Sequence, residues 1–234
     1  GGWDFAGDPT DGINEVWSFQ ELGDGEFGPT YDNFPLLAWQ AEADPEVLLS
    51  GGSGTPADPF LISTVEDLLE LSNSPALWSS HFRQTADIDF NPNAPDNWAG
   101  DGMDWDLSGA VDDSSTAGFI PIGDDSVGGR SQVSFTGSYD GGGHVIKNLY
   151  INRPSGSYVG LFGHIDTGGV AVHDLGVADA YIRGERELGV LAGEIASGQI
   201  ERAFSSGKVV GDSFMIGGLV GITEGGISNS YSKA

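Results

Sequence analysis

The sequence predicts an all-β protein, a parallel β-helix (β-solenoid) with one short capping helix near residues 64–72. Three observations predict it. Glycine is abundant, at 38 of 234 residues, and glycine serves tight turns better than long helices. A motif recurs toward the C-terminus. Tyr158-Val159-Gly160-Leu161-Phe162-Gly163 returns as Leu188-Gly189-Val190-Leu191-Ala192-Gly193 and again as Ile216-Gly217-Gly218-Leu219-Val220-Gly221, with closing glycines 30 and 28 residues apart. A second phase travels with it, because Val172, Ile200 and Ile227 are 28 and 27 residues apart. Two features drifting together at one period indicate stacked repeats. The period suits a coil of two or three short strands, whereas a propeller blade needs four strands and about 40 residues or more.

The elements follow in chain order. Residues 1–50 hold eleven acidic residues, no Lys or Arg, and eight aromatics. The islands Val16–Phe19 and Pro35–Trp39 read as strands between turns, and Gly51–Pro56 reads as a boundary. The predicted organisation is therefore an acidic aromatic segment over 1–50 and a solenoid over 51–234. Phe60–Ile62 reads as a strand. Thr64–Leu71 reads as the helix: Thr64 can cap it, acids occupy its first turn, and Val65, Leu68 and Leu69 share a face. Asp87–Phe90 alternates polar and apolar as a half-buried strand does. An acidic insertion occupies 91–118. Phe119–Ile122, Val133–Phe135 and the two arms around Gly141–Gly143 are further strands. In the repeats, Leu161, Leu191 and Leu219 should form one internal ladder, and Val172, Ile200 and Ile227 a second.

At these residues the chain resembles the GLUG-motif family of bacterial surface proteins. Gly217-Gly218-Leu219-Val220-Gly221 matches the repeat core. Asp58–Thr64, Asp87–Phe90, Pro121–Gly123 and Phe135–Leu149 match in order. The resemblance implies a right-handed parallel β-helix of the kind found in adhesins and in non-catalytic parts of secreted peptidases. Trp3-Asp4-Phe5 and Asn33–Gln40 look like the segment that closes the last repeat, here placed before the repeats. Trp3, Phe5, Trp17, Phe34, Leu36 and Trp39 are thus the expected assembly residues. They would donate a strand to the next module or finish a preceding one.

Composition narrows the partners. Thirty-five Asp and Glu against nine Lys and Arg give a net charge of −26. A field of that sign opposes nucleic acid, anionic lipid and acidic glycans. No run of apolar residues is long enough to span a membrane as a helix. The absence of cysteine agrees with a large extracellular bacterial protein, and a cell-surface location is expected.

Residues 84–129 contain ten Asp and no Lys or Arg. Asp101, Asp104, Asp106, Asp112 and Asp113 are the candidate calcium ligands, since calcium takes six to eight oxygens. The alternative is a solvated acidic loop. An EF-hand is excluded, because Pro92 falls where that loop requires Gly and Trp98 where it requires Glu. The four histidines form no zinc-protease pair, and no nucleophile elbow or phosphate loop is present. Trp3, Trp17, Trp39, Trp78, Trp98 and Trp105 are candidates for stacking on sugar rings, Trp98 and Trp105 in the acidic loop above all, with packing of that loop on the coil as the alternative. No catalytic residue and no cofactor other than calcium is expected. The expected function is a non-enzymatic adhesive or structural module that joins copies of itself into a filament or tandem array. The alternatives are an adhesin tip binding a neutral glycan or surface receptor, and a hydrolase of neutral polysaccharide.

Overall fold

The computed structural model describes residues 49–90, 117–123 and 133–234, and the backbone of Trp17–Ser18 and Leu36–Leu37. The chain divides into two units, 1–47 and 48–234. Within the first, β1 (Trp17–Ser18) pairs antiparallel with β2 (Leu36–Leu37), Trp17 opposite Leu37. The two islands read as strands are this pair.

The second unit is a parallel β-solenoid of about three turns. It opens with β3 (Phe60–Ile62), then α1 (Val65–Asn73), β4 (His81–Gln84) and β5 (Ile88–Asp89). The next coil carries β6 (Ser138–Asp140), β7 (Val145–Lys147), β8 (Tyr150–Asn152) and β9 (Ser157–Val159). It is followed by β10 (Phe162–His173), β11 (Gly176–Gly184) and β12 (Arg186–Leu188). Then come β13 (Ala192–Glu201) and β14 (Phe204–Gly211), and last β15 (Val220–Thr223), β16 (Gly226–Ser228) and β17 (Tyr231–Lys233). One sheet runs β3-β4-β6-β10-β13 and on to β15 and β16; a second runs β5-β7-β11-β14-β17, with β8 also on β11. A third face pairs β9 with β12 and continues through the Leu188–Ile216 bridge. Phe119–Ile122 and Val133–Phe135, expected as strands, contribute only single bridges at Ile122 and Phe135.

Helix α1 forms as the sequence predicts. The Thr64 side chain accepts the Asp67 N–H at 3.1 Å, and the Asp67 carboxylate returns to the Thr64 N–H at 2.9 Å. This capping box satisfies donors that the first turn leaves open. Asp67 also accepts from Ser50 and Ser63, and these bonds hold its carboxyl below the usual range even though burial opposes them. The opposite face buries Leu68 and Leu71 completely in the core.

The ladders explain the repeat. Leu161 and Leu191 are fully buried, as are Val172 and Ile200. Fully burying one such side chain is worth about 1.5–3 kcal/mol, and each rung buries its neighbours' faces as well. Aromatic rings extend the same core, with Phe135 and Phe162 at 5.0 Å and Phe82 and Tyr139 at 6.5 Å.

The corners were not anticipated. Left-handed backbone recurs in three stacked rows: Asn148 and Asp179; Tyr158, Glu187 and Met215; Asp174, Arg202 and Asn229. Such a conformation costs a non-glycine residue about 1–2 kcal/mol, and stacked coils hold it in place. The closing glycine of the motif makes room for the corner beside it. A Cβ at Gly193 would lie 2.4 Å from the Tyr158 carbonyl carbon, and one at Gly221 2.7 Å from that of Glu187.

Two substitutions check this packing by urea unfolding. Leu191→Asp buries an unpaired charge and abolishes the folded state. Gly193→Ala lowers stability by about 1–3 kcal/mol. Wild-type stability in either variant would refute the register.

Candidate functional surfaces of the solenoid

The last coil exposes what earlier coils bury. Ile216 is 41% exposed where its partner Leu188 is 0%, and Ile227 is 42% exposed where Ile200 is 0%. The sequence places Ile227 in the internal ladder. It holds that register, but no described coil covers it. Tyr231 stacks on Phe204 at 5.6 Å with rings 12° apart, and the residue is 55% exposed. Phe214 and Met215 border this surface. Strands β15, β16 and β17 pair on one side only. At the other end α1 and its capping residues cover the core, and no large exposed hydrophobic side chain falls within 49–90. Among the described residues, the core is thus covered by α1 at one end, and the rungs at 216–231 are uncovered at the other.

A charged ladder runs up one edge of the first sheet. Arg83 pairs in register with Asp140, Asp140 with His173, and His173 with Glu201. The His173 Nδ1 lies 2.8 Å from an Asp174 oxygen and 3.5 Å from an Asp140 oxygen. Arg202, one coil further on, grips both Asp174 oxygens at 2.6 and 2.8 Å and reaches Glu201 at 2.8 Å. These bonds, from Arg202 first and His173 second, hold the Asp174 carboxyl far below the usual carboxylate range. Asp140, His173 and Asp174 place three ligand atoms within 4.8 Å of one another, a spacing a metal ion could use. Arg202 on Asp174 and Arg83 at 3.7 Å from Asp140 already supply the positive charge. The group is an ionic clip across coils.

A second cluster lies where a corner meets the following strand. The His164 Nε2 is 3.7 Å from a Glu194 oxygen, and its Nδ1 is 2.8 Å from the Ser134 hydroxyl. Glu187, at the corner of the same coil, is 4% exposed. One of its oxygens makes no hydrogen bond, although the Arg186 Nε lies 3.4 Å away. Burial raises the Glu187 carboxyl above its ordinary value, Arg186 opposes this, and Glu194 and Glu185 add to it.

The sequence-predicted residues fall as follows. Asp101, Asp104, Asp106, Asp112 and Asp113 lie outside the described residues, as do Trp3, Phe5, Phe34, Trp39, Trp98 and Trp105. Trp17 and Leu36 belong to the β1–β2 pair. Trp78 is core, not a sugar platform: it is 3% exposed and its indole N–H donates to the Leu71 carbonyl at 2.8 Å. Asp87 and Asp89 bind protein groups, Val145 N–H and the Asn148 amide. The clip and Glu187 are not readable from the sequence because both depend on which residues stack on adjacent coils, and the spacing of those pairs is irregular, 57 residues for Arg83–Asp140 and 33 for Asp140–His173. Only the 28-residue step from Asp174 to Arg202 carried a readable signal.

Fold and surfaces together define a repeat module of the parallel β-solenoid class. No protein-family model matches the chain. It is 34% identical over 173 residues to halomucin of Haloquadratum walsbyi, a match covering 74% of this chain and 2% of halomucin. It is 32% identical over 141 residues to a protein of Evansella cellulosilytica assigned as a Gly-rich membrane protein, covering 60% of this chain and 13% of that one. The chain thus spans a small fraction of either relative. Among solved structures, a Bacteroides ovatus protein assigned as an immunoglobulin A1 protease superposes with a TM-score of 0.52 at 20% identity, over 80% of this chain and 50% of that one. A likeness at that identity concerns the fold alone.

The two carboxyls predict opposite pH behaviour. The folded Asp174 carboxyl titrates below its unfolded value, so its stabilisation is present above the unfolded pKa and is lost as pH falls through the folded one. Asp174→Asn therefore lowers the melting temperature at pH 7, and the gap to wild type narrows in strong acid. Glu187 titrates above its unfolded value, so its contribution is lost as pH rises through the folded pKa. Glu187→Gln raises the melting temperature at pH 7, with the difference vanishing toward pH 4 and below. Melting curves across that range check both signs.

Proposed function

We propose that the chain is a structural, non-catalytic β-solenoid module of an extracellular surface protein, and that its open coil is where further coils stack. The carrying observation is the exposure of Ile216, Ile227 and Tyr231 in register with covered rungs. A strand edge with unpaired backbone groups and apolar side chains templates another strand. The resemblance to GLUG-motif surface proteins supports the location, as do the names of relatives far longer than the matched region. In the finer reading, residues 1–40 of a neighbouring copy, or of an adjoining module in one long polypeptide, supply the completing strands. Such a contact is heterologous and propagates. The hydrolase alternative gains little. Among the described carboxyls Glu187 alone is raised, and the burial that raises it also shields it from substrate.

Electron microscopy and sedimentation of the full chain test the proposal. End-to-end rods are expected. Ile227→Glu combined with Tyr231→Glu, or removal of residues 1–40, should leave the β-rich circular dichroism intact and the rods absent. A monodisperse monomer from the wild-type chain, or rods that survive both changes, would contradict it.

A further inference from the structure

The chain contains three Asp–Pro bonds, at Asp8–Pro9, Asp44–Pro45 and Asp58–Pro59. The first two lie outside the described residues. The third precedes β3 and is built into a hydrogen-bonded turn. The Asp58 carbonyl oxygen accepts the Ser53 N–H at 3.0 Å, the Thr55 N–H at 3.2 Å and the Ser53 hydroxyl at 3.3 Å. Two amides and a hydroxyl aimed at one carbonyl oxygen are the donors that stabilise negative charge when that carbonyl is attacked. The loop that supplies them is held in place. The Asp58 N–H donates back to the Thr55 carbonyl at 3.2 Å, and the Leu61 N–H donates to the Gly51 carbonyl at 2.8 Å. Gly52 has φ +84°, and a Cβ there would collide with the Pro59 carbonyl, so only glycine lets the loop lie this close to the dipeptide.

The Asp58 side chain is free to act. Asp67, Asp140 and Asp174 are each committed to donors. The Asp58 carboxylate has no hydrogen-bond or ion-pair partner among the described residues, and the residue is exposed to water. A carboxyl oxygen of any aspartate reaches its own carbonyl carbon through a five-membered ring, so the attack is intramolecular. At most peptide bonds that attack leads nowhere, because the amide nitrogen leaves poorly. A proline nitrogen carries no hydrogen and departs as a secondary amine, which takes up a proton more readily. Asp58–Pro59 thus combines an untied nucleophile, a better leaving group and a polarised carbonyl.

We propose that Asp58–Pro59 is a self-cleavage site, with the Asp58 carboxyl as nucleophile and the Ser53 and Thr55 amides as the oxyanion donors. An Asp58 Oδ forms a bond to the Asp58 carbonyl carbon, the C–N bond to Pro59 breaks, and the carboxyl proton passes to the Pro59 nitrogen. The product is a cyclic anhydride at Asp58. Water opens it to a chain ending in Asp58 with two free carboxyls, and the second chain begins at Pro59. The cut separates residues 1–58, which carry the acidic aromatic segment, from the strands of the solenoid. Gly51 still accepts from Leu61, and Ser50 still bonds to Asp67, so the fragments stay together while the fold lasts. The event happens once per chain and does not depend on how further coils stack.

The other two Asp–Pro bonds and the unfolded chain are the controls. The full chain is incubated in mild acid, at about pH 5, with and without enough urea to unfold it, and the fragments are weighed by mass spectrometry after denaturation. In urea the three bonds should break at comparable rates. In the folded chain Asp58–Pro59 should break about tenfold or more faster than either other bond, and faster than it does in urea. The rate should fall at about pH 8, where carboxyls have given up the proton that the nitrogen must receive. Asp58→Asn should stop the cut at this bond with an unchanged melting curve, and Asp58→Glu, whose ring would have six members, should slow it. Equal rates at the three bonds in the folded chain, or a cut that survives Asp58→Asn, would overturn the proposal. So would slower cleavage at Asp58–Pro59 in the folded chain than in urea, which would mean that the turn only shields an ordinary labile bond.

Discussion

Parallel pairing between successive coils is the interaction on which everything else depends. No single coil can bury its own apolar face, since two or three short strands enclose nothing. Stacking satisfies the backbone groups of each strand and covers the ladders in one step. It also explains why, among the described residues, eight that are not glycine tolerate positive φ. Each is held by neighbouring coils, and all eight fall in three rows that align along the axis. Local preference is overridden by register.

Stacking also decides where apolar surface shows among the described residues: α1 and its capping box cover the core at one end, and the rungs at 216–231 lie uncovered at the other. Charges follow the stacking too. Arg83 faces Asp140 along one edge, and the His173 ring separates Asp140 from Glu201, because residues that face each other on adjacent coils sit close enough for like charges to repel. Arg202 and Asp174 add a second alternation at the corner. Exposed ion pairs of this kind contribute little singly, yet a connected set fixes which residues face each other.

Much of the fold was legible because a period of about 28 residues forces apolar residues into matching positions. The helix was legible from Thr64 and Asp67, whose spacing is a local rule. The corners were not. Tyr158, Glu187, Arg202 and Met215 are poor candidates for left-handed backbone, and only the contacts of the folded coil select it. Phe119–Ile122 misled for the opposite reason. Its apolar run serves the core beneath α1, where Ser72 donates to the Ile120 carbonyl, and packing there needs no extended ladder. Among surface features, the uncovered rungs could be anticipated from the repeat, whereas the Glu187 corner required knowing which residues the stacked coils bring beside it.

Hydrogen exchange measured residue by residue tests the central claim most directly. In parallel strands, alternate amides point toward each neighbouring coil. In dilute protein, the amides of residues 220–233 that point away from β13 and β14 should exchange fast, while those of 192–211 stay protected. On concentration into end-to-end assemblies, the fast set should slow and the protected set should not change. Uniform protection in the dilute state, or assembly without any slowing at 220–233, would contradict an account built on an open coil that accepts another.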